Sequence, residues 1–303
     1  MWQQENIYWH PKVLCSGWRV VSRARLLFAL FGLLFFMNNM AGVVYAQMKV
    51  HVDHAQREQG QFFTVTVDGV PSEPTLNVMG RSLRMFRHSG SLWRAFVPVE
   101  NTTPPGKYRL SFREGEEEQR FEVTVTPNNR PIQKIQLDSS KTGLHATEIE
   151  KSRVKRALHT ETPEQLFQGV FRRPVSGRTC SLFGLQRSYN GGPVEGYHKG
   201  IDISASQGTP VRCTAHGKVV LTGAVENGFL VHGNTVIIDH GQGVVSVYLH
   251  LSAIAVHEGQ SVEAGEILGN AGHTGISTAP HLHWGLYLYG TSVDPELFEG
   301  FEL

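Results

Sequence analysis

The stretch Ala279-Pro280-His281-Leu282-His283-Trp284-Gly285-Leu286-Tyr287-Leu288-Tyr289 decides how the C-terminal half of the chain is read. Its large apolar residues alternate instead of recurring every three or four positions, which predicts a strand and not a helix. Side chains two apart on a strand share a face, so His281 and His283 project side by side. On a helix they would diverge. The segment from His198 onward holds nine histidines, so the pair is either a local accident or half of a site. The neighbouring stretches bear on that choice.

Working outward, Val211 to Leu221, Thr235 to Ile238 and Val244 to Leu251 are further strand candidates, punctuated by glycine. No amphipathic helix of useful length interrupts them, so residues 171–303 read as a β domain. A second set of alternating runs lies upstream in residues 47–127. Phe63 to Val67, Trp93 to Val99, Tyr108 to Phe112 and Phe121 to Val125 are spaced as in a small antiparallel sandwich. The last two are joined by the polar hairpin loop Arg113 to Glu118, and Pro104-Pro105-Gly106 delivers Tyr108 as in many immunoglobulin-like domains. Residues 128–170 change character. They read as a linker in which His145 to Leu158 could be helical, with a thin apolar stripe of Ala146, Ile149 and Ala157 and a solvated basic face. The expected fold is therefore all-β in two domains, each with its own core.

At 303 residues with a formal charge of +1, the chain has no basic stripe or acidic tail, and nucleic acid is not an expected partner. Residues 1–46 differ from the rest. Arg19, Arg23 and Arg25 precede the apolar run Leu26 to Phe36, followed by Val44-Tyr45-Ala46, the pattern of a secretory signal peptide. The run is shorter than the roughly 20 residues a membrane span needs, so no stable span is expected after cleavage. The expected address is outside the cytoplasm, periplasmic by preference, with secretion or the cell surface as alternatives. Cys15 falls in the leader, and Cys180 and Cys213 remain, either to form a disulfide in an oxidising compartment or to stand as two separately buried thiols.

Two further stretches carry chemistry. Tyr197-His198-Lys199-Gly200-Ile201-Asp202 sets an imidazole and a carboxylate four apart, on one face of an extended segment. With His283 they make two neutral nitrogens and one anionic oxygen, the kind of three-ligand set that catalytic zinc uses with a fourth position for water. His281 stands beside His283. His250 ends the run Val244 to Leu251, in which alternation assigns Val245, Val247, Leu249 and Leu251 to the core and Ser246, Tyr248 and His250 to a groove. A histidine near neutral pH can relay a proton or stabilise a charged intermediate. His240 reads as a turn residue, and His232 and His257 as surface loop positions.

Together, Tyr197 to Ile203, Tyr248-Leu249-His250-Leu251, Gly272-His273-Thr274-Gly275-Ile276-Ser277 and Pro280 to His283 resemble the signatures of the lysostaphin-type, or LytM-like, zinc endopeptidases. Ser181 to Arg187, Gly208 to Val211 and Val293-Asp294-Pro295 match the framework of that family, over about Phe171 to Pro295. The resemblance implies a compact antiparallel β domain with a long open groove that cleaves peptide bonds in peptidoglycan stems or cross-bridges. It implies zinc on His198, Asp202 and His283, and His250 with His281 as the catalytic pair around the water and oxyanion. Cys213, His216 and His273 depart from the usual pattern without touching the ligand set. The rival reading is a non-hydrolytic wall-binding regulator that activates a separate amidase, with a regulatory partner on the N-terminal domain. The intact ligand positions speak against it.

Overall fold

The alternating stretches fold as strands, and a computed structural model describes them within residues 47–300. The expected leader lies outside the described residues. Most strands run a little longer than their alternation suggests, namely Phe62–Asp68, Gly106–Glu114, Glu117–Thr126 and Asn234–Gly241, while Leu92–Pro98 keeps the expected length one residue earlier. Val244–Leu251 keeps its predicted bounds, and the H-x-H pair opens the strand His281–Leu288. The expected strand Val211 to Leu221 is divided into Pro210–Arg212 and Gly217–Gly223. The chain changes sheets between them. Pro210–Arg212 pairs with Ile267–Asn270, whereas Gly217–Gly223 pairs with Asn234–Gly241.

In the N-terminal half, a four-stranded sheet runs in the order Lys49–Val52, Phe62–Asp68, Leu92–Pro98, Phe86–Ser89. A five-stranded sheet runs in the order Gln56–Glu58, Glu117–Thr126, Gly106–Glu114, Thr75–Val78, Arg81–Leu83. The Tyr108 hydroxyl donates to the carbonyl of Pro104 at 2.7 Å, tying that strand to the turn before it. The hairpin after it is tighter than Arg113 to Glu118, because Glu114 already pairs with Glu117.

The C-terminal half is built on one long antiparallel sheet. Its order is Thr179–Ser181, Ile201–Ser204, His281–Leu288, Val244–Leu251, Asn234–Gly241, Gly217–Gly223, Ser261–Val262, with Thr291–Val293 added beside His281–Leu288. Every residue of Val244–Leu251 is buried, so this strand is covered on both faces. One face packs into a cluster with Trp284, Ile238 and Val219. The other packs into a cluster with Val154 and Ala157 of the helix Glu148–Leu158. Antiparallel strands normally leave one face to solvent. Here the helix closes it.

The helix is shorter than expected and turned differently. Thr147 caps it by accepting from the Glu150 amide at 3.1 Å, and it buries Glu150, Val154 and Ala157 while Ile149 stays 58% exposed. Of the predicted stripe, only Ala157 is buried. The two halves do not keep separate cores: Phe62 and Phe96 of the sandwich pack with Phe171, Leu286, Leu288 and Phe298. Arg94 spans the seam, buried, donating to Gln165 and Gln242 at 2.9 Å each. Burial pushes its guanidinium down to about 10.

The expected disulfide is not formed. Cys180 is exposed, its thiol 3.3 Å from the Asp202 carbonyl. Cys213 is buried 2.9 Å from the Ala215 carbonyl, and burial raises its thiol to about 12.

Candidate metal centre and active site

Cross-strand register assembles the centre. Asp202 on Ile201–Ser204 stands directly opposite His283 on His281–Leu288, and Ser204 stands opposite His281. His198 lies just before, in the loop between Val194–Tyr197 and Ile201–Ser204 and not in one extended segment. That loop is pressed against the strand. A Cβ on Gly200 would lie 2.4 Å from the Trp284 carbonyl oxygen and 2.8 Å from His283 Nε2, so only glycine fits.

His198 Nε2, Asp202 Oδ1 and His283 Nδ1 form a nearly equilateral triangle. His198 to Asp202 is 3.0 Å, His198 to His283 is 3.0 Å and His283 to Asp202 is 2.9 Å. Nitrogen and oxygen ligands about 2.0–2.1 Å from a tetrahedral zinc lie about 3.3–3.4 Å apart. The triangle therefore matches one face of such a site after a small expansion. Among the described residues, it is the group of histidine, cysteine and acidic side chains able to share an ion. The outer contacts favour the same use. His198 Nδ1 donates to the Leu182 carbonyl at 2.9 Å, which leaves Nε2 as the lone pair facing inward. Arg187 Nη2 holds Asp202 Oδ2 at 3.1 Å, leaving Oδ1 for the centre.

Electrostatics keep the three groups in the protonation forms that could hold a metal ion. Burial pushes the His198 imidazole down, partly offset by Asp202. Burial, aided by His198, pushes His283 down to about 4. Burial alone would raise the Asp202 carboxyl, but hydrogen bonds from His198, His281 and His283 hold it well below the usual range.

His281 and His250 flank the triangle. His281 Nε2 is 3.5 Å from Asp202 Oδ1, while its Nδ1 donates to the Ala279 carbonyl at 2.8 Å. The His250 ring centroid is 5.0 Å from that of His281 and 6.1 Å from that of His283. His250 Nδ1 donates to the Thr274 carbonyl at 2.9 Å, which frees Nε2. Their environments push them apart. Burial would lower His281, but hydrogen bonding and attraction from Asp202 raise it. Burial, then His281 and His283, drive His250 well below its ordinary value.

His250 reaches the centre by a route that alternation does not contain. Ser246 and Tyr248, assigned to the groove, are buried on the core side, where Ser246 Oγ bonds His240 Nε2 at 2.7 Å. Val247 and Leu249, assigned to the core, instead line a cavity of about 360 Å³ together with His198, His250 and His283. His250 joins them because the pairing with Asn234–Gly241 carries one extra residue there, and His250 itself adopts φ 62°. Such bulges re-aim a side chain. His240 is correspondingly no turn residue: it sits fully buried in Asn234–Gly241.

The cavity wall adds Tyr189, Tyr197, Val231, Ile276 and Tyr287. A second cavity of about 70 Å³ lies across the centre, lined by Asp202, His250 and His281 and by Gln133, Ile135 and Leu137 of the connecting segment. That segment is not a free linker. Ile132–Ile135 pairs in parallel with Gln186–Tyr189, and Lys141 Nζ donates to the carbonyls of His273 and Ser277 at 3.1 and 2.7 Å. Arg187 and Thr274 are the supporting groups whose contacts sequence reasoning missed. Both lie inside recognisable stretches, but their partners are distant in the chain.

Comparison with known proteins agrees with this geometry. The model of peptidase family M23 matches residues 196–295. A metalloprotease of Haemophilus influenzae, otherwise uncharacterized, is 34% identical over 169 residues, covering 54% of this chain and 34% of that one. The DD-carboxypeptidase/endopeptidase Mpg of Neisseria meningitidis is 46% identical over 98 residues, covering 32% and 22%. The murein hydrolase activator NlpD of Escherichia coli is 36% identical over 126 residues, covering 42% and 30%. The chain thus spans about a third or less of the length of these relatives. A crystal structure of an M23 peptidase from Pseudomonas aeruginosa superposes with a TM-score of 0.58 at 27% identity, covering 88% of this chain and all of that one. Residues 196–295, which contain all five members of the His198, Asp202, His250, His281 and His283 cluster, are the part of the chain that matches peptidase family M23.

Proposed function

We propose that this chain is an exported, zinc-dependent endopeptidase that hydrolyses peptide bonds in peptidoglycan stems or cross-bridges, with residues 47–127 as an immunoglobulin-like accessory domain. The observation that carries the reading is the 3 Å triangle of His198 Nε2, Asp202 Oδ1 and His283 Nδ1, flanked by two imidazoles with inward-facing Nε2 atoms. A divalent ion held there would supply a Lewis acid and lower the pKa of a coordinated water. His250, kept neutral by burial, is suited to accept the proton released when water adds to the scissile carbonyl. His281, held by its Nδ1 on the Ala279 carbonyl with Nε2 toward the centre, is suited to donate toward the developing oxyanion or the leaving amine. The C–N bond breaks as that amine takes up the proton. The cavity beside the centre, walled by Tyr189, Tyr197 and Tyr287, gives an extended peptide apolar and hydrogen-bonding surface.

A second reading rests on the similarity to the murein hydrolase activator. In it the same groove binds the wall without cutting it, and a separate amidase is the partner. One experiment separates the two. The mature protein should carry about one zinc and release shortened or uncrosslinked muropeptides from sacculi, and His283→Ala should do neither. A protein that binds zinc yet leaves sacculi intact supports the activator reading and overturns ours.

A further inference from the structure

The only buried carboxylate of the helix Glu148–Leu158 faces the loop behind His250. Glu150 is 0% exposed. Its Oε1 accepts from the amides of His232 at 2.7 Å and Val231 at 3.1 Å and from His232 Nδ1 at 2.6 Å. Its Oε2 accepts from the amides of Leu230 at 3.1 Å and Val231 at 3.3 Å. Phe229 to Gly233 lies outside every strand, so these amides have no ladder partner, and the carboxylate takes that place. Burying a charge is costly unless its lone pairs are filled. A helix that only needed tethering would bury an apolar side chain there.

The loop that Glu150 holds is the one that seats His250. The His232 carbonyl accepts the His250 amide at 3.1 Å, at the residue with φ 62°. The Val231 carbonyl accepts the Ile276 amide at 2.9 Å, and the Asn234 amide donates to Thr274 Oγ1 at 2.9 Å. Thr274 in turn accepts from His250 Nδ1 at 2.9 Å. Both the backbone and the ring of His250 are thus fixed by groups anchored on Val231 to Asn234. A left-handed conformation at a non-glycine residue persists only where its surroundings over-determine it.

We propose that Glu150 is a positioning residue for His250, acting through the Val231–His232 backbone to keep the bulge and the Nδ1-protonated tautomer that aim Nε2 at the centre. The proposal rests on the reading of His250 as a reacting group. Glu150→Gln removes one acceptor and sets an amide against amide donors. It should lower kcat about 10- to 100-fold, the cost of misplacing a reacting group by about 1 Å, with KM and bound zinc within about twofold of wild type. Nitrogen-resolved NMR of the histidine rings should show a protected His250 Nδ1–H signal in the wild type that is lost or broadened in Glu150→Gln. Glu150→Asp keeps the charge and should recover most of both. If Glu150→Gln does not fold by near-ultraviolet circular dichroism, Glu150→Asp carries the comparison, with a smaller loss in kcat and the same signal shifted. Ala157→Gly weakens the same helix without touching the loop and should leave kcat within twofold. An unchanged His250 signal and kcat in the Glu150 variants overturns the proposal, as does an equal fall in kcat in Ala157→Gly. If wild-type protein hydrolyses nothing while the His250 signal still depends on Glu150, the hydrolase reading fails and the positioning role stands.

Discussion

Replacing Gly200 by alanine tests the proposed metal centre without touching a candidate ligand. The added Cβ would sit 2.4 Å from the Trp284 carbonyl oxygen and 2.8 and 2.9 Å from Nε2 and Cε1 of His283. Ordinary contact requires a retreat of about 1 Å. The Trp284 carbonyl cannot give way, because Trp284 is fully buried and paired to both Ile201 and Tyr248. The loop must move instead, and it carries His198 two residues before. Overpacking of this kind costs about 1–3 kcal/mol. The displacement also exceeds the roughly 0.2 Å tolerance of metal–ligand distances several-fold. Gly200→Ala should therefore bind zinc about 10- to 100-fold more weakly, read by competition with a calibrated chelator, and the metal-free protein should melt several degrees lower. Zinc affinity within twofold of wild type, with an unchanged melting temperature, would refute the argument that close approach at Gly200 sets the ligand triangle. If wild type itself takes up no zinc, the ligand assignment fails and not the glycine argument.

Further expectations bear on other parts of the molecule. Arg187→Met frees Asp202 Oδ2, which Arg187 holds at 3.1 Å; zinc affinity should fall about tenfold or more with little change in the far-ultraviolet spectrum, and an unchanged affinity would remove Arg187 from the centre. His240 is buried, with Nδ1 donating to the His216 carbonyl and Nε2 on Ser246, and burial pushes it down to about 4 from 6.5. The unfolded chain then binds a proton below pH 6.5 that the folded chain refuses until about pH 4, so stability is lost as pH falls through that window. The loss from this one group is about 2 kcal/mol between pH 7 and pH 5. Urea unfolding of His240→Gln should show a pH dependence shallower by about that amount, and identical slopes would rule out His240 as the source.

The strands, the H-x-H pair and the ligand candidates were legible because each depends on local geometry. Period-two alternation sends His281 and His283 to one face whatever lies beyond, and Asp202 pairs directly with His283. His198 joins them from the loop before Asp202, so its spacing named the right partner for a reason that does not hold. The division of Val211 to Leu221 between two sheets was not legible, since both pieces alternate alike and only their partners differ. Nor was the all-buried strand Val244–Leu251, whose second face is covered by a helix about ninety residues earlier in the chain. That covering helix reverses which side chains meet the cavity, so alternation placed His250 at the site for a reason that does not hold. The bulge at φ 62° put it there.

By itself, then, the order of residues determined the mainly β character of the chain and the shared face of His281 and His283, because side-chain direction along a strand needs no knowledge of the rest of the molecule. Tertiary structure alone decided how His250 is aimed, why Glu150 is buried, and that Cys180 and Cys213 stay apart. Each of these depends on contacts between segments tens of residues distant, where packing and the satisfaction of buried polar groups outweigh any local preference.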